Sequence, residues 1–360
     1  MAPLTTGRGE IVGTGTPIRP GRPSVAAERA SPIVLTVDAA AVLGLPSLVE
    51  DLERIEPLLT SSVSSGDPFL DEVATHLIAA GGKRLRPLLA LASATAGESP
   101  ASQSDLLGGV SVELVHLASL YHDDVIDEAT VRRSVESVNS RFGNLIAIVA
   151  GDYLLSRSAE IAAGLGTEIA GLLATTLGRL CQGQVAEVRA AFQVTRTAEE
   201  YFTAISGKTA ALTATSCRIG ALTGGRSTDE VDALTEFGRC FGMVFQLRDD
   251  VMDVVATEED LGKPPGQDLA EGVYTLPVLR ALQDRAIGPE LTTLLGQPLG
   301  QPEKDKARAM VAASSGIAET VAFGRRYAAE AAAATDGVRS RALADGLAAL
   351  TDSLFDGQFQ

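Results

Sequence analysis

From Pro46 onward the chain consists of Ala- and Leu-rich segments, mostly 15 to 25 residues long. Short breaks such as Gly97-Glu98-Ser99-Pro100 and Gly224-Gly225-Arg226-Ser227 separate them. Ala and Leu favour helix, and Gly and Pro end it. The alternating β-branched runs that mark half-buried strands are nearly absent. Segments 104–128, 143–163, 166–192, 208–222, 228–256 and 316–348 are therefore expected to be helical, several of them apolar most of the way round and so buried in a large bundle. Residues 1–35, rich in Gly, Pro, Thr and Arg and without periodicity, are expected to be a flexible tail. Residues 36–360 are expected to form a single all-α domain of roughly ten or more helices.

Two clusters interrupt this apolar pattern. His122-Asp123-Asp124-Val125-Ile126-Asp127 and Arg248-Asp249-Asp250-Val251-Met252-Asp253 both read DDxxD. On a helix the first and last Asp lie one turn apart on one face, where like charges repel. The chain has only 22 aspartates in 360 residues, so two such copies are far beyond chance. Carboxylates set among apolar residues need cations or hydrogen bonds, or they take up protons. Hard divalent cations with oxygen ligands are the natural partners, Mg²⁺ above all where phosphate is present.

The basic residues point the same way. Lysine is scarce, and three of the five stand in glycine-marked motifs: Gly81-Gly82-Lys83-Arg84-Leu85-Arg86-Pro87, Ser206-Gly207-Lys208-Thr209 and Leu261-Gly262-Lys263-Pro264. Glycine lets backbone approach an anion, and Lys or Arg supplies the countercharge. Gly207-Lys208-Thr209 lacks the upstream glycine and strand of a P-loop. Arg132-Arg133 follow the first acidic cluster by a further helical turn or a loop. One acidic anchor acting through metal and one basic anchor acting directly would suit two phosphorylated substrates.

The remaining composition excludes more than it assigns. The net charge of −16 argues against nucleic acid. Cys181, Cys217 and Cys240 are odd in number and form no CxxC pair, which suits a reducing compartment. No 18-residue apolar run and no signal-peptide core are evident, so a cytoplasmic protein without a transmembrane segment is expected.

In order along the chain, Gly81–Pro87, Glu113–Asp127, Arg132-Arg133, Gly207-Lys208-Thr209 and Phe245–Asp253 resemble the trans-isoprenyl diphosphate synthase (polyprenyl synthetase) family. The resemblance covers about residues 45–350. It implies the isoprenoid synthase type I fold, helices around a central apolar cavity, a homodimer, and three Mg²⁺ ions per site. It further implies that Asp123, Asp124, Asp127, Asp249, Asp250 and Asp253 hold the metal. Arg132, Lys208, Thr209, Gln246 and Lys263 would then contact an allylic diphosphate, while Lys83, Arg86, His116 and Arg133 hold isopentenyl diphosphate. The implied reaction is head-to-tail 1′–4 condensation, with Asp123, Asp124, Asp127, Lys208, Asp249 and Asp250 as its catalytic set. One departure stands out: Val273 occupies a position where many members carry lysine.

Short-product members carry an aromatic four or five positions before the first Asp. Here those positions are Ser119 and Ala118, with Val115 further back. Small residues there leave a tunnel open, so the expected product exceeds C20 (C30–C50), as for quinone side chains, with a geranylgeranyl- or farnesyl-length product as the alternative. A class I terpene cyclase would lack the second DDxxD and the Gly81–Pro87 motif. A non-catalytic partner subunit typically loses aspartates from these clusters, and all six are present. A calcium-buffering helical protein would leave the basic motifs without a role.

Overall fold

A computed structural model describes residues 39–261 and 264–355. The expected N-terminal tail and Lys263 lie outside them. The described residues are overwhelmingly helical, as the segment pattern requires, and belong to one compact unit.

Local signals set the helix starts. Ser102 and Asp105 form a reciprocal capping box at the head of Gln103–Ile126, and Ser227 caps Thr228–Val255 by accepting from the Glu230 amide. These two long helices carry the acidic clusters. The helix Leu85–Thr95 runs through the interior with every residue but Arg86 buried. It packs against both Gln103–Ile126 and Ala211–Thr223, and Ala211–Thr223 in turn packs along Thr228–Val255. Asn144–Leu165 and Thr167–Ala190, separated at Gly166 (φ 131°), complete the wall beside the first cluster. Gly316–Ala334 covers the outer side of Thr228–Val255.

Three local features differ from the sequence reading. The segment 316–348 is two helices, Gly316–Ala334 and Arg341–Asp352, because a 3₁₀ turn at Thr335–Gly337 ends the first and Ser340 caps the second. Segment 208–222 begins inside a π-helical turn, Ser206–Ala210, which joins Ala198–Ile205 to Ala211–Thr223. Arg132-Arg133 belong to a small antiparallel hairpin pairing Val131–Arg132 with Val135–Glu136. Its two turn residues, Arg133 and Ser134, both have positive φ (52° and 61°), which costs strain for residues other than glycine.

Tyr121, fully buried on the first-cluster helix, donates its hydroxyl to the Val73 carbonyl at 2.7 Å and ties that helix to Pro68–Ala79. Tyr121→Phe removes this bond without changing the ring. It should lower the unfolding free energy by ~1 kcal/mol in urea titration, with little change in the denaturant slope.

Candidate active site

The first-cluster helix ends at Ile126, and Asp127 is its cap, with an amide that still donates to the Asp123 carbonyl at 2.8 Å. Asp123 and Asp127 therefore stay one turn apart on one face, and Asp127 adds to the negative charge around Asp123. Burial pushes the Asp123 carboxyl up to about 6, opposed by Lys208 and reinforced by Asp127 and Glu187. Asp124 points elsewhere. It is fully buried, and its Oδ1 accepts from Arg132 Nε at 2.7 Å and lies 2.6 Å from a terminal nitrogen of the same guanidinium. Its Oδ2 is buried without a donor.

On the second helix Asp250 is buried, taking hydrogen bonds from the Tyr201 hydroxyl and from Gln246 Nε2 (2.8 Å). Burial still raises it to about 7. Gln246 Oε1 accepts from the Thr209 hydroxyl at 2.7 Å, so Thr209, Gln246, Asp250 and Tyr201 form one chain of hydrogen bonds. Asp249 lies 3.6 Å from the buried Arg248 and attracts Lys83. Lys83 is exposed, yet the protein packed around it lowers its ammonium to about 8, against the pull of Asp249. Asp253 accepts from the backbone amides of Gln267 (3.2 Å) and Asp268 (3.3 Å), so it caps the short helix Gln267–Glu271.

Lys208 sits in the π turn. That turn lies tight against Thr167–Ala190: a Cβ on Gly183 would fall 2.7 Å from the Lys208 amide nitrogen, so only glycine admits this approach. Lys208 Nζ meets Glu187 Oε1 at 2.5 Å. Burial works against its ammonium, but Glu187 and Asp123 hold it above the ordinary lysine value. Glu187 raises Asp123, Asp127 and Asp250, and it lines a polar cavity together with Lys208.

The basic motif Gly81–Pro87 is organised around Glu113. This buried carboxylate accepts from Arg84 at 3.0 Å and lies 4.0 Å from Arg133. Arg84 also pairs with Glu56 at 2.6 and 3.0 Å and has a positive φ of 47°. Arg133 donates to the carbonyls of Leu77 and Gly81. A side chain at Gly82 would strike its guanidinium at 2.8 Å. Burial lowers Arg86 to about 10, with Glu113 opposing. His116 is pushed well below the usual histidine range by burial and then by Arg86 and Arg133, so it is neutral.

Two cavities meet here. One, of about 330 Å³, has apolar walls that include Val115, Leu155, Leu177 and Leu180; His116, Ser119, Asp123 and Lys208 also line it. The other, of about 520 Å³, is polar and includes Asp127, Arg132, Glu187, Gln246 and Val273. Lys208 and Thr209 line both, so the apolar cavity adjoins the polar one. An anionic head in the polar cavity and a hydrocarbon tail in the apolar one would fit this division. Lys83, Asp124, Asp249, Asp250 and Asp253 stand outside both walls, as does Ala118, which packs wholly in the hydrophobic core. His122, kept out of the sequence-derived site, borders the apolar cavity and bonds the Ile148 carbonyl at 3.2 Å.

Sequence reasoning gave no role to Glu113, Glu187 or Tyr201. None stands in a repeated motif; the one available hint was the pair of glycines, Gly183 and Gly207, facing each other across two helical segments.

Residues 67–313 match the family model described as Polyprenyl synthetase. The chain belongs to the polyprenyl synthetase family. It is 36% identical over 303 residues to a nonaprenyl diphosphate synthase of Mycobacterium tuberculosis, covering 83% of this chain and 90% of the relative. It is 40% identical over 282 residues to a heptaprenyl diphosphate synthase component 2 of Geobacillus stearothermophilus, covering 78% and 86%. Among solved structures, a polyprenyl synthase from Caulobacter crescentus CB15, complexed with calcium and isoprenyl diphosphate, superposes with a TM-score of 0.81 at 28% identity, covering 91% of this chain and 98% of that one. The protein is thus a prenyltransferase with the all-α fold of this family. Among the described residues no helix is long and apolar enough to cross a membrane.

The buried carboxylates give a pH dependence of known sign. Asp123 binds its proton more tightly folded (about 6) than unfolded (3.8). Below 3.8 both states are protonated and burial costs nothing; the cost grows between 3.8 and about 6 and is complete above it. Asp123→Asn should therefore raise the stability of the ligand-free protein by ~1–2 kcal/mol at pH 8 and by less at pH 4.5, as read by urea unfolding at both values.

Proposed function

We propose that this prenyltransferase adds isopentenyl diphosphate head to tail (1′–4) to an allylic diphosphate, with Mg²⁺, and makes an all-trans polyprenyl diphosphate longer than C20. The observation that carries this reading is the apolar cavity adjoining, at Lys208 and Thr209, a polar one walled by Asp127, Arg132 and Gln246. The names of the nonaprenyl and heptaprenyl relatives support a long product.

The donor set suits Mg²⁺. Among the described residues no three acidic, histidine or cysteine side chains converge into a ready-made cage. Mg²⁺ commonly takes one or two carboxylates and completes its shell with water and substrate phosphate, which is what Asp123 with Asp127, and Asp249 with Asp250, can offer. The unsatisfied Oδ2 of Asp124 and the raised Asp123 and Asp250 also mark carboxylates short of positive charge. Bound there, the metal would stabilise the charge that builds on departing diphosphate.

The protein's own groups account for the other requirements. As the allylic C–O bond breaks, its electron pair leaves with the diphosphate, which Lys208 and Arg132 can hold. Leu155, Leu177 and Leu180 keep water from the allylic cation. The alkene of isopentenyl diphosphate, anchored by Lys83, Arg86 and Arg133, attacks that cation. The proton then lost passes to the released diphosphate, so no protein nucleophile is needed. Neutral His116 serves as a hydrogen-bonding ligand. Leu145, Ile148, Val149, Val185 and Val188 are exposed apolar side chains on adjacent helices, and a second copy of the chain is the partner we assign to them.

Pure protein incubated with Mg²⁺, labelled isopentenyl diphosphate and each allylic starter from C5 to C20 should give products beyond C20, none of them with EDTA. No incorporation from any starter by folded protein would overturn the synthase reading. Ser119 lines the apolar cavity, so Ser119→Phe should shift the product distribution to shorter chains; an unchanged distribution would remove that cavity as the tail site.

A further inference from the structure

Asn139 lines neither cavity, yet its side chain reaches the end of the first acidic cluster from another element. Its Nδ2 donates to the Asp124 carbonyl at 2.9 Å and to the Ala129 carbonyl at 3.0 Å. Both carbonyls already have another donor. The Ala129 amide reaches the Asp124 carbonyl at 3.0 Å, and the Ser137 hydroxyl reaches the Ala129 carbonyl at 2.6 Å. Asn139 Oδ1, in contrast, is buried and finds no donor among the described residues. Neither carbonyl would be orphaned without Asn139, whereas Asn139 leaves an acceptor of its own unpaired, at a cost in free energy. Stability alone is therefore a weak reason for asparagine at this position.

A stronger reason lies in what the two carbonyls bracket. Asp124 stands in the last turn of Gln103–Ile126, and Ala129 follows the cap formed by Asp127 and Glu128. Helix ends fray, because their last carbonyls lack intrahelical donors. This end is exposed at Ile126, Asp127 and Glu128. Glu128 holds a φ of 51°, a strained conformation that surrounding contacts must maintain. Asp127, Ala129 and Arg132, all in or just after this turn, nevertheless line the polar cavity. Asn139, on the short helix Val138–Phe142, spans both ends of the turn with one planar amide.

We propose that Asn139 is a positioning residue that clamps the turn after the first acidic cluster, so that Asp127 stays beside Asp123 where one divalent cation can meet both. On an end free to fray, the two carboxylates would be paired only part of the time, and a cation needing both would bind more weakly by that fraction. Asn139 touches neither metal nor substrate and acts through the backbone of the turn. This inference rests on the synthase reading, in which Asp123 and Asp127 meet diphosphate through Mg²⁺.

The test uses the full-length protein and two readouts that do not need turnover. Asn139→Leu keeps a side chain of similar size and loses the clamp; Asn139→Ala serves if the leucine is not tolerated. Either should raise ~10-fold the Mg²⁺ concentration for half-maximal binding of inorganic diphosphate, followed by calorimetry, with saturating Mg²⁺ restoring wild-type binding. In the ligand-free protein the Asp127 and Ala129 amides should exchange hydrogen with solvent ~10-fold faster, with Tm little changed, because the opening is local. Unchanged exchange at both amides would overturn the clamp. A Mg²⁺ midpoint equal to that of wild type, whether or not Tm falls, would reduce Asn139 to a packing residue. Wild-type protein that binds no diphosphate at any Mg²⁺ concentration would instead overturn the synthase reading itself.

Discussion

Carboxylates buried against apolar helices set the terms for everything around the cavities. Asp124 and Asp250 are almost wholly removed from water, and Asp123 is half-buried beside them. Each has a compensating partner. Arg132 holds Asp124, Lys208 attracts Asp123, and Tyr201 with Gln246 donates to Asp250. The compensation is incomplete, since Asp123 and Asp250 remain near 6 and 7 and one oxygen of Asp124 has no donor. A bundle optimised for stability alone would have filled these positions with apolar side chains. Their retention fits the site we propose, which would take its remaining positive charge from metal and substrate.

The cationic side is built by the opposite device, one buried acid gathering several bases. Glu113 anchors Arg84 and stands near Arg133, and both arginines hold positive φ. Such backbone costs about 1 kcal/mol or more per residue and persists only where surrounding contacts over-determine it. The ion pairs to Glu113 and Glu56 and the carbonyls of Leu77 and Gly81 do so here. The strain fixes where Lys83 and Arg86 emerge, since they lie one residue before and two residues after Arg84. A net charge of −16 is compatible with this arrangement because bulk charge describes the outer surface, while a few lysines and arginines describe the cavity.

The helical bundle was legible because Ala- and Leu-rich segments between Gly and Pro breaks leave few alternatives. The bounds failed where capping chemistry outweighed composition: Ser340 starts a helix inside what reads as one continuous Ala-rich run. The aspartate clusters and their spacing could be read directly, and so could the basic motifs. What spacing cannot show is which way a carboxylate turns. Asp124 turns to Arg132, and Asp253 turns to cap the later helix Gln267–Glu271. Ser119 and Ala118 are adjacent in sequence, yet a 100° rotation puts one on the cavity and the other in the core. Glu187 stayed invisible because its partner Lys208 is 21 residues away and no motif joins them.

The claim on which the account turns is that the acidic clusters hold a diphosphate only through divalent cations. Calorimetric titration of the ligand-free protein with inorganic diphosphate, with and without Mg²⁺, tests it without relying on turnover. The account predicts binding with Mg²⁺, none with EDTA, and loss of the Mg²⁺-dependent binding in Asp123→Asn and Asp249→Asn. Equal binding with and without Mg²⁺, or binding undiminished in both variants, would contradict it.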